Sequence, residues 1–200
     1  MIKCNVSVVG IICRGGESRT DKEGRQFFTF GLRTTIPSNN DLDREMDISV
    51  SMNGNPSMGF DFREGKKVKV SGTLTFKKRN DIIYLNLSAT DVSFETTAET
   101  GIQGTMKFRG TTGSKDIPEK KGKKGNYRFF DAFSSEKIDA DQYAFIWVHF
   151  ADFSANRPDW LGPKTGIDVE GELDISEYNQ KVSINCTVDT LSYWDKQSNQ

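Results

Sequence analysis

The 200 residues predict an all-β protein built as two tandem five-stranded Greek-key barrels. Three observations carry that expectation. Helical periodicity is nearly absent. Short alternating or apolar runs are separated by clusters of Gly, Asn, Asp and Ser, which is the pattern of strands and turns. And the second half of the chain repeats the first.

In the first half, Cys4–Ile12 is the first expected strand. Arg14–Gly24 is a polar hairpin loop, Phe27–Leu32 the second strand and Met46–Met52 a cleanly alternating third. Asn53–Gly65 contains Pro56 and three glycines and is expected to be irregular, with at most a helical turn near Phe60–Phe62. Val68–Phe76 is the fourth strand. Lys77–Asp81 turns the chain, Ile82–Leu87 returns it, and Val92–Phe94 finishes the unit. Thr96–Gln103 is polar and reads as a linker, so the expected domains are residues 1–97 and 104–200. The order then recurs: strand Thr105–Thr112, a Lys/Gly loop over Gly113–Asn126, strands Tyr127–Phe133 and Tyr143–Phe150, an irregular Asn156–Gly166, and strand Ile167–Ile175.

Adding 99 to each number maps Val68–Phe94 onto Ile167–Tyr193 without a gap. The identities are Val70/Val169, Gly72/Gly171, Leu74/Leu173, Asn80/Asn179, Asn86/Asn185 and Ser93/Ser192, and most other apolar positions keep their type. Further upstream an offset of 102 pairs Phe27-Phe28 with Phe129-Phe130. Strand, hairpin loop, strand, strand, irregular connection, strand, tight turn, strand is the order of the OB barrel.

Composition narrows the possible functions. Hydrophobic content is 35% and charged content 28%, with fourteen Phe supplying core bulk. No apolar run approaches the roughly 20 residues that span a membrane. Met1-Ile2-Lys3-Cys4 begins no signal-peptide apolar region, so a cytoplasmic protein is expected. Cys4, Cys13 and Cys186 are odd in number, form no C-x-x-C pair, and accompany a single histidine, His149. A zinc site or disulfide framework is therefore not expected, and the cysteines read as small buried strand residues. Net charge is −1, which argues against a globally basic nucleic-acid binder. Any such binding must rest on local clusters.

Val70-x-Gly72-x-Leu74 after Gly65-Lys66-Lys67, followed by Leu87-x-Ala89-x-x-Val92-x-Phe94, resembles the fourth and fifth strands of single-stranded-DNA-binding proteins. Val169-Glu170-Gly171-Glu172-Leu173, preceded by Trp160-Leu161, resembles them more closely. In that family such a strand follows a short helix ending in an aromatic-leucine pair. The resemblance covers both halves. It implies OB barrels that bind single-stranded DNA, without catalysis, metal or cofactor. It also implies a second copy of the chain, a dimer, since the family assembles four barrels. Bacterial members carry one barrel and an acidic tail. This chain carries two expected barrels, and its last residues, Trp194–Gln200, have no acidic tip. Tail-mediated recruitment is not expected.

The stretch Tyr143–Phe150 locates the candidate site. As a strand it turns Ala144, Ile146, Val148 and Phe150 to one face and Tyr143, Phe145, Trp147 and His149, every one a flat ring, to the other. The aliphatic face packs a core. The ring face must meet another surface or a planar ligand. In an OB fold, strands 2 and 3 hold the ligand. On strand 2 of the second half, Tyr127, Phe129 and Phe133 are expected outward beside Phe145 and Trp147. On strand 2 of the first half, Phe28, Phe30 and Leu32 read as core and Phe27 and Arg33 as outward. Cations sit in the predicted loops: Lys77, Lys78 and Arg79; Arg14, Arg19, Lys22 and Arg25; Lys115, Lys120, Lys121, Lys123 and Lys124. Rings stack bases and cations neutralise phosphates. His149 has no Ser or Cys nucleophile beside it in sequence. Asp168, Glu170, Glu172 and Asp174 alternate as a solvated strand face. Trp160 and Trp194 read as packing.

These residues point to binding of single-stranded DNA, or RNA, with little sequence preference, protecting it during replication, recombination or repair. No membrane or small-molecule substrate is implied. Two other readings stay open: a protein-interaction or scaffolding module whose ring face is a protein interface, and a carbohydrate-binding or enzyme-accessory OB domain.

Overall fold

A computed structural model describes residues 1–39, 42–54, 61–94, 96–123, 125–139, 142–155 and 158–195, with 138 and 139 described by backbone alone. Its strands are β1 (Ile2–Thr20), β2 (Gln26–Ile36), β3 (Arg44–Asn53), β4 (Lys67–Arg79), β5 (Ile82–Ser93), β6 (Gly101–Thr112), β7 (Lys120–Gly122), β8 (Gly125–Asp139), β9 (Gln142–Asp152), β10 (Gly166–Tyr178) and β11 (Lys181–Tyr193). They join in the order β2-β3-β5-β4-β1-β6-β10-β11-β9-β8-β7, with further pairings of β1 on β2 and β6 on β8. Those two pairings close two barrels, β1-β2-β3-β5-β4 and β6-β8-β9-β11-β10. In each, the third strand runs parallel to the fifth, β3 with β5 and β9 with β11, while the other pairs are antiparallel. This is the OB arrangement.

The sheet register dates the repeat more finely than sequence does. Val50 lies beside Leu87, and Phe150 beside Cys186. Leu87 and Cys186 correspond at offset 99, so Val50 corresponds to Phe150. Their antiparallel partners, Phe30 and Phe130, then correspond as well. The offset over strands 2 and 3 is therefore 100, and the pairing of Phe27-Phe28 with Phe129-Phe130 is wrong by two residues. Phe27 corresponds to Tyr127 and Phe28 to Arg128. Two adjacent Phe in each half misled the alignment, but an even slip preserves which face each residue takes.

Close contacts recur at matching positions. A Cβ at Gly10 would lie 2.4 Å from the Arg33 carbonyl oxygen, and one at Gly110 2.2 Å from that of Phe133. A bulge leaves Thr90 unmatched in β5 and Asp189 unmatched in β11. Beside it, a Cβ at Gly171 would lie 2.0 Å from the Thr187 carbonyl oxygen, as at Gly72 against Ser88. We expect Gly171→Ala to destabilise the protein by about 1–3 kcal/mol, the usual range for overpacking. Urea unfolding reads this, and an unchanged midpoint would mean that the strands spread at no cost.

The barrels are joined by β1 and β6, which pair antiparallel from Ile2↔Phe108 to Val9↔Gly101. Gly101, Ile102 and Gln103, expected in the linker, are thus strand residues, because the outer edge of β1 supplies backbone partners for them. Val6 faces Gly72, and Met106 faces Gly171. Val6 therefore corresponds to Met106, and Asn5 to Thr105. Asn5 pairs with Thr105 itself, so a local two-fold axis passes through this pair.

Two expected loops are strands instead. β1 runs on to Thr20, bending at register shifts between Ile12 and Arg14 and between Arg14 and Glu17. Gly16 permits the bend, since a Cβ there would lie 2.1 Å from the Phe28 ring. The turn itself is only Asp21–Arg25, where Asp21 Oδ1 accepts from the Glu23 and Arg25 backbone N–H groups. Likewise β4 continues to Arg79, and Asn80-Asp81 reverse the chain at positive φ, 48° and 63°. Asn179-Gln180 do the same at 50° and 64°. Both are two-residue hairpin turns of the kind that suits strand twist.

The core is continuous. Phe28, Phe30 and Leu32, Phe130 and Ala132, and Ile146, Val148 and Phe150 are buried, as the alternation requires. Phe62 packs edge-on against Phe28 and Phe94; Phe60 lies outside the described residues. Trp160-Leu161 sit in a turn rather than a helix, and Trp160 packs on Tyr193, ring centroids 5.8 Å apart. Burial pushes the Cys4 and Cys186 thiols up to about 12, so both stay protonated. Cys13 is only half-buried, where β1 bends.

Candidate nucleic-acid interface

β8 and β9 pair through Phe129↔Ala151, Asp131↔His149, Phe133↔Trp147 and Ser135↔Phe145. Their inner faces fill the second barrel, so alternation leaves the opposite parity outward. Phe129, Tyr143, Phe145 and Trp147 are exposed, Trp147 at 44%. Tyr127 and Phe133 are half-buried. The rings form two clusters. Phe133 meets Trp147 and Phe145, with centroids 5.0 and 5.4 Å apart. Tyr127 meets Phe129 at 5.0 Å, and Phe153 completes this second group at 5.9 Å from Tyr127. Between the clusters, His149 Nδ1 lies 2.6 Å from Asp131 Oδ1.

Phe153 is 60% exposed and was missed by sequence reasoning. Its signal was present: it has the parity of Tyr143–His149, with Ala151 between. The expected strand simply stopped at Phe150, whereas β9 runs to Asp152.

A groove of about 820 Å³ opens on this face, lined by Trp147, Phe129, His149, Asp131, Lys115 and Asn185 among others. Lys120 begins β7, and its Nζ stands 5.6 Å from the Phe129 ring centroid, within cation–π reach. Lys121 and Lys123 are exposed beside it. Lys124 lies outside the described residues. Asp116 and Asp174 also line the groove, which is therefore not uniformly cationic.

The corresponding face of the first barrel is different. Phe133 and Trp147 are replaced by Arg33 and Asp47, and Phe145 by Glu45. Arg33 Nε donates to Asp47 Oδ1 at 2.7 Å and its second nitrogen to Oδ2 at 3.1 Å, with Glu45 at 3.5 Å. The Arg33 guanidinium holds the Asp47 carboxyl below its usual range. Arg33 points outward as expected, yet its charge is already matched. Phe27 is half-buried. The first hairpin is similar: Arg19 pairs with Glu17 at 2.7 Å, and Arg25 with Asp21 at 2.8 Å and Glu23 at 2.7 Å.

Lys77, Lys78 and Arg79 are strand residues and therefore split between faces. Lys78 pairs with Asp81 at 3.0 Å. Lys77 and Arg79 lie on the other face, opposite Tyr84 and Ile82. Tyr84 is 48% exposed. Sequence reading treated it as part of a plain returning strand, because only the β4–β5 register shows which cations it stands beside.

Two further features frame the site. Asp168 accepts a forked contact from Arg109, and Glu170 pairs with Lys107 at 2.7 Å. The four-carboxylate face is thus partly neutralised by β6. Under the ring face, Arg128 and Asp152 form a cross-strand ion pair, both buried. Burial alone would raise the Asp152 carboxyl. Hydrogen bonds from Ser154 and the Arg128 guanidinium instead hold it below its usual range.

The fold and face define a class: a two-barrel OB chain with one ring-bearing barrel. No family model matches the sequence, and no curated protein matches it. Among solved structures, the wild-type single-stranded DNA binding protein from Thermus aquaticus is similar over 96% of this chain and 93% of its own, at 14% identity and a TM-score of 0.50. A deletion mutant of that protein is similar over 96% and 95%, at 14% identity and 0.48. The small single-stranded DNA-binding protein from Streptomyces coelicolor covers 49% of this chain and 96% of its own, at 16% identity and 0.39. The wild-type Thermus aquaticus similarity spans both barrels and bears out the OB fold.

Proposed function

We propose that the chain binds single-stranded DNA with little sequence preference and protects it during replication, recombination or repair. The observation that carries this reading is Trp147, an exposed ring lining a groove beside Lys115 on strand 3 of an OB barrel. Bases stack on Trp147, Phe145 and Phe133 and on Phe129 and Tyr127. Lys115, Lys120, Lys121 and Lys123 neutralise phosphates. The ring-poor barrel contributes less: Lys77, opposite Tyr84, and Arg79, opposite Ile82, extend the path, while Arg33 and Phe27 add little. The likeness to the wild-type single-stranded DNA binding protein from Thermus aquaticus supports the same reading. No catalytic step is part of it. The DNA-binding unit is a dimer of chains, which light scattering in solution would count.

Titration of a fluorescent oligo-dT tests the proposal. Tryptophan emission should quench on binding. If these four lysines each meet a phosphate, log affinity should fall against log salt with a slope of about −3, at roughly −0.7 per contact on a single strand. Absence of binding at low salt would sink the proposal.

A second reading has one specific observation behind it. Asp116, Asp131 and Asp174 line the same groove as the rings, and carboxylates repel phosphate. A protein-interaction module would use this face as an interface. Its mark would be Trp147→Ala disrupting a protein complex while sparing DNA.

A further inference from the structure

The Asp131–His149 pair calls for a reason to be there. It sits in the middle of the ring face, with both side chains about half exposed, and it lines the groove with Trp147 and Phe129. Its counterparts in the first barrel are Gly31 and Ser49, so the barrel does not need it to fold. A carboxylate in the path of a nucleic-acid backbone weakens binding. It is compatible with such a path only where base edges, rather than phosphates, approach.

The hydrogen-bond pattern says which edges. An ionised carboxylate only accepts, so His149 Nδ1–H donates to Asp131 Oδ1 at 2.6 Å. Where the imidazole is neutral, this selects the Nδ1–H tautomer and leaves Nε2 an acceptor. Asp131 Oδ2 and His149 Nε2 have no protein partner among the described residues. With the imidazole neutral, the pair presents two acceptors and no donor to the groove. Phe129 and Phe133 flank Asp131 at two residues on either side, roughly 6.6 Å along the strand. A base stacked on either ring brings its edge to the pair.

Resting on the reading of the ring face as a single-stranded DNA site, we infer that Asp131 and His149 read the exocyclic amino group of one stacked base, so that this single position prefers cytosine to thymine within an otherwise sequence-tolerant ring path. The cytosine amino group offers two donors to two acceptors. Thymine places its O4 acceptor there instead, opposite like partners. Carboxylate acceptance from the cytosine amino group is an established mode of base readout. Comparing the two pyrimidines holds ring size, and hence most of the stacking, constant.

The test is competition between oligo-dC and oligo-dT of equal length at one salt concentration, for the wild type, Asp131→Ala and Asp131→Asn. We expect the wild type to favour dC about tenfold, within the range of one good base contact. Asp131→Ala should erase the preference, chiefly by losing dC affinity. Asp131→Asn, which keeps the shape and adds a donor, should shift the ratio toward dT. Equal binding of dC and dT by the wild type overturns the inference, as does a preference that survives Asp131→Ala. A role of Asp131 in shaping the face alone would lower both affinities together and leave the ratio unchanged, which also overturns it. Failure of the wild type to bind either oligonucleotide sinks the DNA reading itself, a separate outcome.

Discussion

Trp147→Ala should weaken single-stranded DNA binding by about 1–3 kcal/mol, roughly 5- to 150-fold, the range for removing one stacking ring. At 44% relative exposure it is far from buried, and its ring meets Phe133 and lies close to Gly113. Its loss should therefore cost little folding stability. The two readouts together are diagnostic. Reduced affinity with an unchanged unfolding midpoint identifies a ligand-contacting ring. Unchanged affinity with a loss of self-association or partner binding identifies an interface ring. Asp47→Ala, at the corresponding position of the first barrel, is the control. It releases Arg33 and should not weaken DNA binding, because no ring is lost.

Asp152→Ala should destabilise the protein by about 3–5 kcal/mol, the cost of leaving a buried charge without its counter-ion. Arg128 and Asp152 face each other across β8 and β9. The equivalent cross-strand pair in the first barrel is Phe28 and Met52, an apolar pair of which Phe28 is buried and Met52 partly buried. The chain thus holds its own design for the replacement. Arg128→Phe combined with Asp152→Met should recover most of the loss, since apolar packing often matches or exceeds a buried ion pair. Urea unfolding of the two single variants and the double variant measures the coupling. Failure of the double variant to exceed either single one would show that the second barrel cannot accept the first barrel's packing there. The Asp152 carboxyl is held below its unfolded value, so its contribution is present above the ordinary carboxylate range. It is lost as the pH falls through the lowered folded value. Wild-type stability should therefore drop in that acid window, and the double variant should drop less.

Strand order and the facing of nearly every strand residue were legible in the sequence, because alternation is local: Ala144, Ile146, Val148 and Phe150 had to share a face and did. The ring row was legible for the same reason. The repeat was legible over strands 4 and 5, where the glycine, the bulge and the two-residue turn recur at one spacing. It was misaligned over strand 2, where Phe-Phe pairs two residues out of register looked like counterparts. The loops were misjudged because polar residues on an exposed β-ribbon read like a loop. Arg14 to Thr20 and Lys77 to Arg79 are strands only because another strand pairs with them.

By itself the sequence determined an all-β chain, duplicated, with an aliphatic face and a ring face on one strand of the second half. Period-two alternation and turn chemistry are short-range rules that act through adjacent residues. Tertiary structure decided what is available to a ligand. It matched Arg33 with Asp47, while Lys115 lines the groove with Trp147 and Lys120 stands over the Phe129 ring. It set His149 against Asp131 between two ring clusters. Those are partnerships across strands, governed by register and charge, and the order of residues along the chain does not reveal which neighbour a side chain will meet.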